Sequence, residues 1–367
     1  MIPRLCRSPS SCYRHDMKTL FHQLRSILPV ALFGLVAPAS DALDSKFANK
    51  TNDQIWQAVA NPAMGAQLSL AAVDEICGDI MPDSKREALE AKLVEADTPA
   101  PGFAYFGKMY LEGKCVSEDR VLGGKLMRLG LMSLVPALYQ EARLSDTPVK
   151  PISILPFTLG TDRETQIQAF LPTTETMWND EIHRWLAASP ADIAAAARKF
   201  LSGDYTFFQK DYTAPAPEAA VIWMLAAAET AETIDTVKET IRWLHDPALA
   251  PSWAKATYTQ GEFTESVATD QTQGLLYRLE LRGFKPAFSL FHCLTFDNEK
   301  FPRRLNAKAE YIHLQQMKRQ GIDVDDALLQ QVHAWMIEHG DEEPYVPAKP
   351  DFYSLTLFPP ILGRCGL

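Results

Sequence analysis

The sequence predicts an all-α fold, and three observations carry the prediction. Apolar residues recur at helical spacing along most of the chain. Glycines that end helices alternate with acidic or hydroxyl residues that start them. One glycine-to-aspartate pattern returns further along the sequence. Together these predict an α-solenoid of helix–turn–helix repeats with an irregular central connection and an extended C-terminal tail. The expected division is a signal-peptide region at 1–42, helical repeats at 43–142, the connection at 143–176, further helical repeats at 177–341 and the tail at 342–367.

Length and charge narrow the function classes. A chain of 367 residues holds two or three domains or one array of repeats. Its 47% hydrophobic and 22% charged content is that of a globular protein. A net charge of −10, with no basic run, argues against a nucleic-acid binder, which needs clustered Lys and Arg to neutralise phosphates.

The first element is the N-terminal segment. From Met17 it reads "MKTLFHQLRSILPVALFGLVAPASDA": Lys18 and Arg25 are basic, Ile27–Val36 is apolar, and small residues follow at 37–39 and 40–42. That is the layout of a secretory signal peptide, and Met17 reads as the natural start. The apolar run falls short of the ~20 residues a membrane span needs, so no stable span is expected after the signal is removed. Residues 1–42 hold five of the 36 basic and two of the 46 acidic residues, so their removal leaves 31 against 44, a net charge of −13. Four cysteines remain, and in an exported protein an even set favours disulfides. Spacing alone leaves three connectivities open; nearness pairs Cys77 with Cys115 and Cys293 with Cys365. The first bridge, closing 38 residues, contributes about 4 kcal/mol by chain entropy.

The helices follow in order. Residues 51–61 open with cap-type residues and place Ile55, Trp56 and Val59 at helical spacing, and 67–81 continue alike. Asp83 and Ser84 are set to cap the next helix, with Glu87 completing a capping box. "DTPAPG" at 97–102 breaks the run. "GKMYLEGKCVSEDRVLGGKLMRLG" (107–130) is helical at both ends and interrupted between Gly113 and Asp119. Four prolines and β-branched residues without helical period mark the irregular connection. Helices return at 177–188 and 190–203, the latter with Pro190 at its start and Gly203 past its end. Residues 217–246 supply two more, and the five-proline tail reads as an extended strap that Cys365 pins. The aromatic run 205–212 reads as a packed loop in preference to a binding cage.

The interruption at Gly113 belongs to a repeat. "MYLEG" at 109–113 corresponds to "TYTQG" at 257–261, and Asp119 and Asp270 follow in the two copies. A weaker third copy spans 317–340, where Leu328, Leu329, Val332, Trp335 and Met336 form one apolar stripe. Glycine ends a helix in the left-handed conformation, and an aspartate caps the next. This pattern resembles the Sel1-like repeat, a relative of the tetratricopeptide repeat found in bacterial envelope proteins. Gly107, Tyr110, Gly113, Asp119 and Ala137 fall on the family's positions, as do Tyr258, Gly261 and Asp270 in the second copy. Gly123, Leu126 and Ser133 depart from it. The resemblance implies a binding platform whose first helices line a concave face. It places helices 253–260 and 307–318 along that groove, with Tyr258, Tyr311 and Leu314 turned inward and Lys255, Gln260, His313 and Gln316 facing a partner.

Catalytic motifs are sparse. No HExxH, CxxC, GxSxG or phosphate-binding loop occurs, so neither a metal nor a cofactor is expected. Ser252 to Lys255 fit the SxxK pattern without its KTG companion, and Ser252 reads more simply as a helix cap. Cys293 adjoins His292, but adjacent helical side chains point apart. His333 and His339, six apart, share no helix face, and His339 reads as a helix-end residue. The expectation is therefore an exported, non-enzymatic protein that binds another envelope or secreted protein. The alternatives are a periplasmic hydrolase or cell-wall-modifying enzyme, for which His183, His292, Ser252 and Cys293 would have to converge, or an immunity protein that inhibits a secreted toxin.

Overall fold

A computed structural model describes residues 45–61, 65–144, 163–173, 176–250, 254–255, 257–260, 263–296, 307–342, 344–347 and 365–367. Among these residues the chain forms fourteen helices and two β-hairpins. The order is α1 (Asn52–Val59), α2 (Gly65–Cys77), α3 (Asp83–Glu95), α4 (Phe103–Glu112), α5 (Arg120–Leu144), α6 (Arg163–Phe170), α7 (Thr176–Ala187) and α8 (Pro190–Ser202). The hairpin β1 (Tyr205–Phe207) and β2 (Lys210–Tyr212) precedes α9 (Pro217–Glu229) and α10 (Ile234–His245). A second hairpin, β3 (Thr257–Gln260) and β4 (Phe263–Ser266), leads into α11 (Val267–Leu281), α12 (Lys285–Phe296), α13 (Ala307–Arg319) and α14 (Asp326–Glu338). The expected signal segment lies outside the described residues.

Local chemistry sets the helix ends. Thr51 and Gln54 exchange hydrogen bonds in a capping box ahead of α1, and Ser189 and Asp192 do the same ahead of α8. Gly113 takes φ +61, and the N–H groups of Gly113 and Lys114 bond back to Tyr110 and Met109, which closes α4. Asp119 then accepts from the N–H groups of Val121 and Leu122 and opens α5. The pause from 113 to 119 is thus a turn between two packed helices. Gly321, at φ +68, and Asp325, which accepts from Ala327 N–H, punctuate α13 and α14 in the same way.

The α4–α5 pair packs unusually close because three glycines lie between the helices. A Cβ on Gly107 would stand 2.8 Å from the Met127 Cα, one on Gly123 2.8 Å from the Leu111 nitrogen, and one on Gly130 2.7 Å from the Ala104 Cα. Tyr110 is buried in this contact. Helix α5 is the one described helix long and apolar enough to cross a membrane, but 78% of its apolar window is buried inside the fold, where it acts as a core helix. It packs on α4, α7 and α9. Helix α9 is buried on every side from Ala219 to Glu229.

Several expectations are corrected. Residues 257–260 are a strand, not the second half of a helix: Thr257, Tyr258 and Thr259 favour extended backbone, and Thr257 to Gln260 pair antiparallel with Ser266 to Phe263. Tyr258 therefore has no helix to close, and Gly261 lies outside the described residues. Asp270 sits inside the first turn of α11, whose cap is Ser266, accepting from Thr269 N–H at 3.1 Å. Asp83 is the first residue of α3, behind a Pro82 that makes no side-chain cap. The central connection contains a helix, α6, with Ile167 and Phe170 turned inward three residues apart; residues 145–162 lie outside the described residues.

The aromatic run packs as a hairpin. Phe208 and Gln209, both at positive φ, make its two-residue turn, a conformation that glycine and asparagine usually supply. Burial of Phe208 against Trp178, with ring centroids 5.3 Å apart, offsets that strain. The two expected bridges are present: Cys77–Cys115 ties the end of α2 to the α4–α5 turn, and Cys293–Cys365 ties α12 to the chain end.

If helix contact at Gly130 is as close as the geometry requires, Gly130→Ala should destabilise the protein by roughly 1–3 kcal/mol in urea denaturation. Gly124→Ala, in the same helix but facing only the Arg128 guanidinium, which the Phe208 carbonyl holds, should shift stability by no more than about 1 kcal/mol. Equal effects of the two would refute the close approach.

Candidate functional site

Three consecutive helices bring a polar seam into the interior. On α13, Glu310, His313 and Gln316 recur every three residues and share one face. On α12, His292 and Thr295 do the same, and on α11 Gln273 and Glu280, seven apart, line one side. All seven side chains are buried, which is rare for such groups.

Within the seam, His292 Nε2 lies 3.1 Å from Glu310 Oε1. His313 Nε2 lies 3.1 Å from the Phe288 carbonyl oxygen and 4.0 Å from Glu280 Oε1. The two imidazoles stack nearly parallel, 9° apart in plane and 5.9 Å between centroids. Phe288, Phe291 and Phe296 wall the His313 ring at 5.1 to 6.0 Å. A carbonyl only accepts, so His313 Nε2 carries the proton and donates it to Phe288.

Electrostatics make this a neutral seam at its Glu280 end. Burial raises the Glu280 carboxyl well above its ordinary value. Burial also lowers His313 to about 3, opposed by the Phe288 carbonyl and reinforced by His292. Burial thus disfavours the charged form of both groups across the 4.0 Å approach of Glu280 and His313. Glu280 Oε1, Gln273 Nε2 and Thr295 Oγ1 make no hydrogen bond among the described residues.

Two further polar joints flank the seam. Glu229, on α9, is held by the Arg278 guanidinium of α11, and Arg282 donates to the Glu229 carbonyl. Burial raises Glu229 against the pull of Arg278 and Arg282. His245 at the end of α10 lies 3.1 Å from Thr272 Oγ1 on α11, and burial lowers it to about 4.

The residues expected to face a partner separate. Lys255 is exposed, and Gln260 sits in β3. His313 and Gln316 are only 4% exposed, so they cannot rim a groove: α12 covers the face that carries them. Tyr311 and Leu314 pack inward beside them. The hydrolase candidates do not converge. His183 is on the exposed side of α7, Cys293 is bonded to Cys365, His292 turns to Glu310, and Ser252 lies outside the described residues. His339 forms the end of α14 with its ring Nδ1 2.7 Å from the Trp335 carbonyl. Among the described residues no three His, Cys, Asp or Glu side chains are placed to hold a metal ion. Sequence reasoning missed Glu280, Glu310, Gln273 and Thr295; the three-residue rhythm of Glu310, His313 and Gln316 was the available signal. Comparison with protein-family models, curated proteins and solved structures returns no match.

The seam makes stability depend on pH. The folded chain holds the Glu280 proton above the unfolded value of 4.5, so this contribution is fully present below that pH and declines as pH rises. His313 and His245 work oppositely: their depressed values make stability decline as pH falls below 6.5 toward about 4 and 3. Glu280→Gln, neutral and of the same shape, should raise the thermal midpoint at pH 8 while changing it little at pH 4. An equal shift at both would show that Glu280 is ionised in the fold.

Proposed function

We propose that the protein is an exported helical-repeat platform that binds another envelope or secreted protein through the outer face of its last hairpin. The observation that carries this reading is the exposed side of α14. That helix packs chiefly on α13. Its outer face shows Gln330, Gln331, Ala334 and a half-exposed Ile337. Beyond it, Tyr345 stands 85% exposed on the tail segment that Arg319 anchors through the Val346 and Pro347 carbonyls. Apolar and aromatic groups left in water among polar neighbours mark contact surfaces.

Supporting features come from the rest of the chain. From α9 to α14 each helix packs on the next, as repeats in a solenoid do. The Gly–Asp punctuation of α4–α5 returns at α13–α14, in keeping with the Sel1-like resemblance. Two disulfides suit an oxidising compartment, and the segment from Met17 to Ala42 has the composition of an export signal.

Two measurements test the reading. The native protein should begin at Ser40, Asp41 or Leu43, and an intact Met17 would overturn export. In crosslinking from the cell envelope, the Ile337→Asp, Tyr345→Ala double variant should lose the partner held by the wild type while its stability stays within about 1 kcal/mol. Full retention of that partner would exclude the α14 face.

A further inference from the structure

The described helices are held by two separate apolar cores. The larger runs from Phe47 through α12, where Ala287, Leu290 and Leu294 belong to it. The smaller consists of Ala307, Tyr311, Leu314 and Met317 of α13, Leu329, Val332 and Met336 of α14, and Phe288 alone from α12. The α13–α14 hairpin thus carries its own core. Its joint to the body is the polar seam, with Phe288, Phe291 and Phe296 around the His313 ring: His292 to Glu310, His313 to the Phe288 carbonyl, and Glu280 beside His313. Apolar cores bind their own helices cooperatively, and a joint built of hydrogen bonds between buried polar groups is the place where a fold opens as a unit.

We propose that the α13–α14 hairpin opens from the body as a unit, hinged at this seam, and that the protons on Glu280 and His313 set how often it opens. Among the described residues, the titratable groups that face the seam are Glu280 from α11, His292 from α12, and Glu310 and His313 from α13; α14 presents His333, against Tyr311. The charged pairs Lys308–Asp341 and Lys318–Asp326 lie outside it, about half exposed on the lysine side, and add little.

Closed, the seam keeps Glu280 protonated and His313 neutral. Open to water, Glu280 loses its proton above about 4.5 and His313 gains one below about 6.5. Opening therefore releases a proton on the alkaline side and takes one up on the acid side. Between those two values both changes occur, and their pH dependences cancel. The hairpin is closed most firmly in that window, and opening increases by up to about tenfold for each pH unit outside it. The geometry reinforces the acid branch, since a charged His313 would stack 5.9 Å from His292 with little water between them.

Hydrogen exchange of the full-length protein, corrected for the intrinsic chemical rate, reads this directly. The ratio of opening in peptides from 307–338 to that in peptides from 103–140 should be several-fold to about tenfold higher at pH 7.5 than at pH 5.5. Glu280→Gln removes the alkaline branch and should reverse the trend, with the ratio higher at pH 5.5. His313→Gln, which still donates to the Phe288 carbonyl, removes the cancelling proton uptake, so its rise toward pH 7.5 should be steeper than the wild type's. A wild-type ratio that is the same at both pH values overturns the proposal, whether or not either variant folds. So does a Glu280→Gln protein that behaves like the wild type.

Discussion

One hydrogen bond, created by a proline, ties the two halves of the chain together. In α5 the Met132 carbonyl would ordinarily accept from the N–H four residues on, but that residue is Pro136, which has none. The Trp223 indole N–H of α9 donates to Met132 at 2.7 Å instead, across 91 residues of sequence. Proline thus breaks one rung inside a helix and so leaves a buried acceptor, and a fully buried tryptophan satisfies it. Around that indole stand Trp185, Phe200 and Phe207, with centroids 4.8 to 5.9 Å away and edges toward faces. The β1–β2 hairpin closes this cluster from the outside, and its turn tolerates two positive φ angles because Phe208 is locked into it. Among the described helices, α4 meets the hub through its glycine contact with α5, and α10 and α11 meet it through α9.

Moving outward from the hub, the joints between helices become more polar. At α5–α9 the contact is mostly aromatic and aliphatic, with the Trp223–Met132 and Thr230–Tyr139 hydrogen bonds inside it. At α9–α11 it includes the buried Glu229–Arg278 pair, and at α12–α13 it is the histidine–glutamate seam. A buried ion pair adds little net stability over a well-packed apolar contact, but removing one partner leaves an uncompensated charge at a cost of roughly 3–5 kcal/mol. Such joints specify which surfaces meet more than they strengthen the meeting. The gradient explains why the fold divides where it does: α13 and α14 bury their apolar side chains against each other, leaving the polar stripe of α13 to face α12.

Much of the fold was legible because its signals are local. The cap-type residues that open 51–61, Pro190 at a helix start, the helix-ending glycines at 113 and 203, and the stripe of α14 each depend on a few neighbouring residues. Nearness in sequence sufficed for the cysteine pairs because each closes a loop within its own half. The readings that went astray depended on partners distant in sequence. The tyrosine-to-glycine spacing at 257–261 matches a repeat, but Thr257 to Thr259 and Phe263 to Thr264 are strand formers on either side of that glycine, and pairing across the hairpin decided the outcome. His313 and Gln316 read as exposed because polar residues usually are. Their burial follows from a second polar face, that of α12, which no periodicity within α13 reveals.

Helix α12 is where these constraints meet. Its apolar residues Ala287, Leu290 and Leu294 fix it to the main core, and Phe288 fills the smaller one. His292 and Cys293, adjacent in sequence, point in different directions: the imidazole to Glu310, the sulfur to Cys365. The disulfide therefore anchors the chain end to the same helix that bears the titratable joint, without taking part in that joint. Arg242 of α10 strengthens the anchor by donating to the Gly366 carbonyl at 2.8 Å. With one flank covalently held and the other packed by aliphatic side chains, α12 is the fixed edge of the body. Opening at the seam would therefore move α13 and α14 together, with their shared core apart from Phe288, which stays on α12.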